Sequence, residues 1–358
     1  MKKTLVAVAA MAAVTGAMAQ ATISGVLDQA YYTSKITTSA GATTTYKGVG
    51  AQNNGTSEFT ISGSEDIGNG MKANYAFNVQ ADIGSGATAA NSAPALTTGT
   101  NNGMAMRRSH IGLAGDFGSI KLGNQWTPAF FVALAADPTA LVSSTGAGFV
   151  GASNSVTASA NSITYNLPTV FPGLAVALQS GQGESSGTSG GNNSGGSLTY
   201  SSGGLMAAYG WQKATAGTGA TFTTAAGISG VYSTSLATLT AGTSKIASTM
   251  TTVTYDLGVV KLYANSNSDK VTGTTSKISG SAYGVSIPVG AATTIGIVST
   301  GATDTNGSGT QYKEKGSRYA IFHNLSKRTQ AYAFTGKSSL SGATTGHAMT
   351  AFGLQTAF

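Results

Sequence analysis

The sequence predicts an all-β chain closed into a transmembrane, antiparallel, up-and-down barrel. Three observations carry that expectation. Only 9% of the 358 residues are charged, against about 25% in a soluble domain, yet mean hydropathy is just +0.07. Segments of about ten residues alternate apolar with polar or small side chains, the period-two mark of a wall between lipid and water. Short turns and long polar loops separate these segments in regular succession, an asymmetry found where strands cross an outer membrane. Lipid offers no partners to an open sheet edge, so such strands must close on one another.

Residues 1–19 read as a secretory signal peptide. Lys2 and Lys3 form its charged start, residues 5–14 its short apolar run, and Ala17-Met18-Ala19 its small-x-small cleavage site. About ten apolar residues are too few to cross a bilayer of roughly 30 Å as a helix. Residues 20–358 are then a single barrel. Without Lys2 and Lys3 the 19 basic residues fall to 17 against 12 acidic ones, a formal net charge of +5. That charge is spread along the chain, which gives no footprint for nucleic acid. The absence of cysteine excludes a disulfide scaffold and thiolate metal sites.

The first mature strand, 21–32, places Ile23, Leu27 and Tyr31 on one face and Asp28 and Ala30 on the other. Residues 33–56 read as a loop. Strand 57–64 and the segment from Met71 flank a turn at 66–70. The second of these sets Met71, Ala73, Tyr75, Phe77 and Val79 against Lys72, Asn74 and Asn78. A loop at 83–103 leads to the clearest hairpin, which turns at Asp116-Phe117-Gly118. Ile111, Leu113, Ile120 and Leu122 face one way; Arg108, His110, Lys121 and Gln125 face the other. After Pro128 the alternation stops for about thirty residues, a length that in a compact protein signals function or disorder. This third loop carries Phe130-Phe131-Val132-Ala133-Leu134. Apolar content needs something to pack on, so the loop is expected to fold into the lumen. Hairpins follow around 168–172, 202–204, 256–258, 288–290 and 324–327, with a last strand at 345–358. Segment 181–196 reads as an exposed Gly/Ser/Asn loop. Residues 226–241 are either two wall strands or an external hairpin. The count is about 16 strands without that segment and 18 with it; 16 is the expectation.

The stretch Gly63-Ser64-Glu65-Asp66-Ile67-Gly68-Asn69-Gly70-Met71-Lys72-Ala73, the 107–128 hairpin, Asn324-Leu325-Ser326-Lys327-Arg328-Thr329 and the terminal Phe358 together resemble the Gram-negative general porins of the neisserial and burkholderial type. The resemblance runs along the whole chain. It implies a 16-stranded homotrimeric barrel in the outer membrane, with lipid around it. Ions and small hydrophilic solutes would diffuse passively past an inward third loop that faces basic wall residues. Such porins often carry Arg where this chain has Asn124, and another Arg shortly before the pair matching Asn161-Ser162. Both departures thin the basic cluster and reduce the implied anion preference to a weak one. A surface adhesin or receptor-type barrel and a substrate-specific channel are the alternatives.

Lys72, Arg108, Lys121 and Lys261 fall on polar faces and are candidates for a positive strip along the pore, since rings of charge bias ion entry. Each could equally be a solvated charge with no such effect. Arg107 is a candidate only if a bulge turns it inward, because its parity is wrong for the lumen. Asp137 either opposes that strip or caps a turn before Pro138, with the turn slightly favoured. Tyr31, Tyr75, Trp126, Tyr209 and Trp211 read as interfacial girdle residues. Nothing points to an enzyme or a cofactor. Glu65 and Asp66 sit at a turn without a nearby His, and no Gly-x-Ser-x-Gly elbow occurs in strand-to-helix context. The three histidines lack metal-ligand spacing.

Overall fold

A computed structural model describes residues 21–38, 40–51, 54–80, 105–139, 145–146, 157–183, 191–217, 221–223, 227–228, 235–341 and 346–358. The expected signal peptide lies outside these residues. In chain order the elements are β1 (Thr22–Thr37), β2 (Thr43–Ala51), β3 (Glu58–Gly68), β4 (Met71–Gln80), β5 (Ala105–Gly115), β6 (Gly118–Trp126), helix α1 (Pro128–Leu134), β7 (Thr145–Gly146), β8 (Ala158–Asn166) and β9 (Leu174–Gly181). They continue with β10 (Asn193–Ser202), β11 (Leu205–Thr215), β12 (Thr221–Thr223), β13 (Gly227–Ile228), β14 (Ser235–Thr238), β15 (Lys245–Asp256) and β16 (Lys261–Val271). The chain ends with β17 (Lys277–Val289), β18 (Thr293–Thr305), β19 (Gln311–Asn324), β20 (Thr329–Ser341) and β21 (Gly346–Ala357).

Each wall strand pairs antiparallel with the next, and β21 pairs back onto β1 from Val26↔Ala357 to Thr37↔Gly346, closing a barrel of 16 strands with one extra. Closure leaves no edge, which is what lipid demands. The extra strand comes from one interrupted position in the wall. The lower half of β1 pairs with β3 (Thr22↔Ser62 to Val26↔Glu58) and its upper half with β2 (Gln29↔Ala51 to Thr37↔Thr43). Residues 33–56 are therefore largely wall, not loop. The small side chains and glycines of 43–50 hide an apolar alternation that the sequence reading needed.

Where β2 gives way to β3, residues 54–57 fold over Asp28. The Asn54 N–H donates to Asp28 Oδ2 at 2.8 Å, the Tyr332 hydroxyl to Asp28 Oδ1 at 2.6 Å, and the Asp28 N–H to Ser57 Oγ at 2.9 Å. Asp28 is fully buried, and the two bonds that its carboxylate accepts from Asn54 and Tyr332 offset its desolvation.

Polarity is inverted relative to a soluble protein. Ile23 is 65% and Ile111 63% exposed, with Leu122, Ile163 and Phe352 also outward, while Asn78, Thr252 and Asn265 are buried on the inner face. The alternation read from sequence thus sorts lipid from lumen. The described parts of segment 226–241, residues 227–228 and 235–241, do not enter the wall. β13 pairs with β7 of the third loop, and β12 pairs with β14 in a separate two-stranded patch. Strand β10 begins at Asn193, so the Gly/Ser/Asn loop is shorter than expected. Glycine and serine at 194–197 pair in the ladder with β9 and β11 despite their weak strand preference.

Candidate functional site: an inward loop facing a basic wall

The third loop begins with a capped helix. Thr127 is extended (φ −73, ψ 146), its hydroxyl accepts from the Phe130 N–H at 3.2 Å, and Pro128 stands at the first helical position. This seven-residue helix is held by the wall. Ala129, Val132 and Ala133 bury against Ala208 and Met250. The Thr252 hydroxyl, which accepts from Asn265 at 2.9 Å, donates to the Val132 carbonyl at 2.7 Å.

Three wall glycines make the seat. A Cβ on Gly210 would stand 2.9 Å from Ala129 Cα, one on Gly284 2.6 Å from Pro138 Cγ, and one on Gly296 2.5 Å from the Pro138 carbonyl oxygen. From β6 the loop thus runs inside the barrel past β11, β17 and β18. The described part up to residue 139 reaches β19, where Asp137 pairs with Arg318, both nearly fully buried. The other oxygen of Asp137 accepts the Thr139 N–H at 2.7 Å. Asp137 therefore does cap the turn, and its charge is spent on Arg318 instead of opposing the basic strip. Arg318 carried a weak sequence signal: a lone charge alternating with Ala320 and Phe322 on an inward face. Asp137, 181 positions away, was a candidate in its own right, but nothing local pointed to their pairing.

The wall across from the loop holds the cations. The β4–β5 ladder pairs Asn78 with Arg108 and Val79 with Met106, which leaves Arg107 as the extra residue of a bulge. Arg107 thereby reaches Glu58 at 2.6 Å while Arg108 holds the other oxygen at 2.7 Å. The β6–β8 ladder also shifts register between Gly123 and Gln125, with the extra residue on β8, and Trp126, the last residue of β6, faces inward. It is not a girdle residue. The Arg108 and Arg107 guanidinium carbons stand 4.1 and 4.9 Å from its ring centroid, and Phe130 and Phe131 pack on it at 5.2 and 5.5 Å. Cation–π contact and two charge-assisted bonds fix the arginine pair in place.

Arg108, His110, Lys121, Gln125, Trp126 and Phe131 line a recess of about 250 Å³ open to the lumen. Arg107, Arg108 and Lys121 are thus brought together on one side of the inward loop. Lys72 and Lys261 are not. Lys72 follows the Gly68–Gly70 turn and pairs with Asp66 in register. Lys261 opens β16 opposite Asp256, at 5.3 Å from the Tyr263 ring centroid. Both stand at the short-turn end of the wall. Sequence reading missed Glu58, which keys the two arginines, and the inward role of Trp126. The bulge at Arg107 and the end of β6 at Trp126 lie where a strict period of two no longer reads the face.

Comparison with known proteins agrees with this geometry. Over residues 7–343 the chain matches the Gram-negative porin family. It is 33% identical over 125 residues to the major outer membrane protein P.IB of Neisseria meningitidis serogroup B, a stretch covering 34% of this chain and 33% of that protein. The chain's match thus spans about a third of that relative's length. An anion-selective porin from Comamonas acidovorans superposes with a TM-score of 0.72 at 21% identity, covering 95% of this chain and 100% of that one. The trimer form of OmpT, an outer membrane protein of Vibrio cholerae, superposes at 0.64 with 12% identity, covering 95% of this chain and 99% of that one. At such identities these likenesses show the fold. The family match, running nearly the full length of a closed barrel with an inward third loop, shows that the chain belongs to the Gram-negative porin family and resides in the outer membrane.

Proposed function

We propose that this barrel is a passive diffusion channel for ions and small hydrophilic solutes, narrowed by its third loop. The observation that carries this is the loop's seat. A helix and an ion pair hold it along one inner wall, leaving the polar wall of β3–β6 to face the water path. No group at the site needs to react. The work is size exclusion plus the field of fixed charges.

Within that path Arg107, Arg108 and Lys121 outweigh Glu58, and Asp137 is neutralised by Arg318. Three further acids on the inner wall, Asp269, Asp304 and Glu314, are buried and flank the apolar cluster of Leu239, Ile246 and Ile278, away from the open lumen. The balance favours anions weakly. The trimer form of OmpT supports a homotrimer here, and the Lys2-Lys3 start with its apolar run and Ala17-Met18-Ala19 supports export through a cleaved signal peptide.

Swelling of proteoliposomes in sugars of increasing size tests this reading. A rate that falls steeply with solute size supports a sieving pore. Equal swelling with and without protein refutes it, and saturation by one sugar alone would favour a substrate-specific channel.

A further inference from the structure

The outward face of the wall carries its own charge pattern, which the pore does not use. On the long-loop half of that face stand Lys213, Lys245, Lys270, Lys277, Lys313 and Lys315, all exposed. Lys337 on β20 and Lys35 and Lys47 on β1 and β2 continue the band. Among the described residues no acid shares that half of the outward face. In the long-loop half of these strands the acids Asp269, Asp304 and Glu314 point inward and are 0–3% exposed. In that half the lysines and the acids therefore stand on opposite faces of the wall, while nearer mid-strand Arg318 of β19 points inward to Asp137.

Three features say what the band faces. Toward the turns, the same outward rows carry Tyr255, Leu262, Tyr283 and Tyr319, aromatic and apolar side chains suited to lipid and its interface. Lys315 is four residues from Tyr319, about 13 Å along the strand or roughly 9 Å in height at a 45° tilt, a step comparable to one headgroup layer. Lys270 and Lys277 lie directly opposite in register, an arrangement that is unfavourable unless an anion sits between or beside them. Around Lys277, Lys313 and Lys315 the floor is Ser268, Ser279 and Gly301, side chains small enough to leave a groove of about 630 Å³.

We propose that this lysine band binds the phosphate-bearing headgroups of anionic lipid in the leaflet on the long-loop side. The serine-floored groove between β16 and β19 is its best-formed site. The lysine ammonium groups supply charge and the serine and threonine hydroxyls supply donors, while the lipid chains lie along the apolar rows below. The proposal rests on the wall facing lipid and not on what passes through the pore.

The test uses the full barrel, folded in neutral detergent and titrated with bisphosphorylated lipid A, phosphatidylcholine or inorganic phosphate, with bound lipid counted by native mass spectrometry. The wild type should retain lipid A and neither of the other two. The triple variant Lys277→Ser/Lys313→Ser/Lys315→Ser should bind lipid A on the order of a hundredfold more weakly, about fivefold per lysine. The matching Lys→Arg triple should keep it. Heat-modifiable gel mobility checks that both variants are folded, and their conductance should equal wild type because these side chains face outward. Unchanged lipid A binding in the serine variant overturns the proposal. So does inorganic phosphate binding as tightly as lipid A, or loss of subunit association in place of loss of lipid.

Discussion

Arg318→Met should unpin the third loop. Arg318 and Asp137 are 3% and 2% exposed at their side chains, so removing the guanidinium strands a buried carboxylate, a change that costs about 3–5 kcal/mol. Among the described residues the remaining ties of Asp137 are the Thr139 N–H and hydroxyl, both within the loop, so no other described wall side chain bonds or ion-pairs with the carboxylate. The cheapest relief is for the loop's distal end to leave the wall and hydrate Asp137. Its near end stays anchored through Ala129, Val132 and the Thr252 hydroxyl. A cost of 3–5 kcal/mol moves the docked-to-undocked ratio by about two to nearly four orders of magnitude.

Single-channel recording in a planar bilayer reads this as altered mean conductance and loop-driven current noise. The double variant Arg318→Met/Asp137→Asn should restore much of the quiet behaviour, because the stranded charge is gone. An Arg318→Met channel with wild-type conductance and noise would refute the reasoning. It would mean that the helix anchor alone fixes the loop.

Other expectations follow from the same geometry. Glu58→Gln releases Arg107 and Arg108 from their shared carboxylate and should move the reversal potential toward anions in a salt gradient; a move toward cations contradicts the charge reading. Lys72→Ser, at the turn end of the wall, should leave that potential nearly unchanged, whereas Lys121→Ser should shift it toward cations. Gly210→Val sets a side chain where Ala129 Cα must lie, so its channel should conduct noisily or fold in low yield, while Thr252→Val should weaken the helix anchor by only about 1 kcal/mol. Asp28→Ala removes the acceptor for both the Asn54 N–H and the Tyr332 hydroxyl. It should cost about 3 kcal/mol in denaturant unfolding and expose the 54–57 segment to protease; wild-type stability would show that water replaces the carboxylate.

Much of the wall was legible because a lipid-facing strand has to alternate. Met71 to Val79 and Ile111 to Leu122 announce their faces residue by residue, and the turns at 66–70 and 116–118 announce their reversals. The second wall strand was not legible in its upper half, where Thr43 to Gly50 offers only Tyr46 and Val49 as large apolar side chains, at opposite parities. The site was legible in type but not in assembly. Arg108 and Lys121 follow from parity, and the loop's inward fold follows from Phe130 to Leu134. Arg107 violates parity through a bulge, and Trp126 violates it as the last residue of its strand. Glu58, Arg318 and the three seat glycines matter only through partners far away in sequence. A local pattern carries no information about which distant strand a loop will meet.

The most direct test of the account is the reversal potential of the purified protein in a planar bilayer under a salt gradient. The account predicts stepwise conductance with a potential modestly on the anion side, set by Arg107, Arg108 and Lys121 against Glu58. Absence of steps would contradict a channel altogether. Steps with a cation-side potential would contradict the placement of the basic wall on the water path.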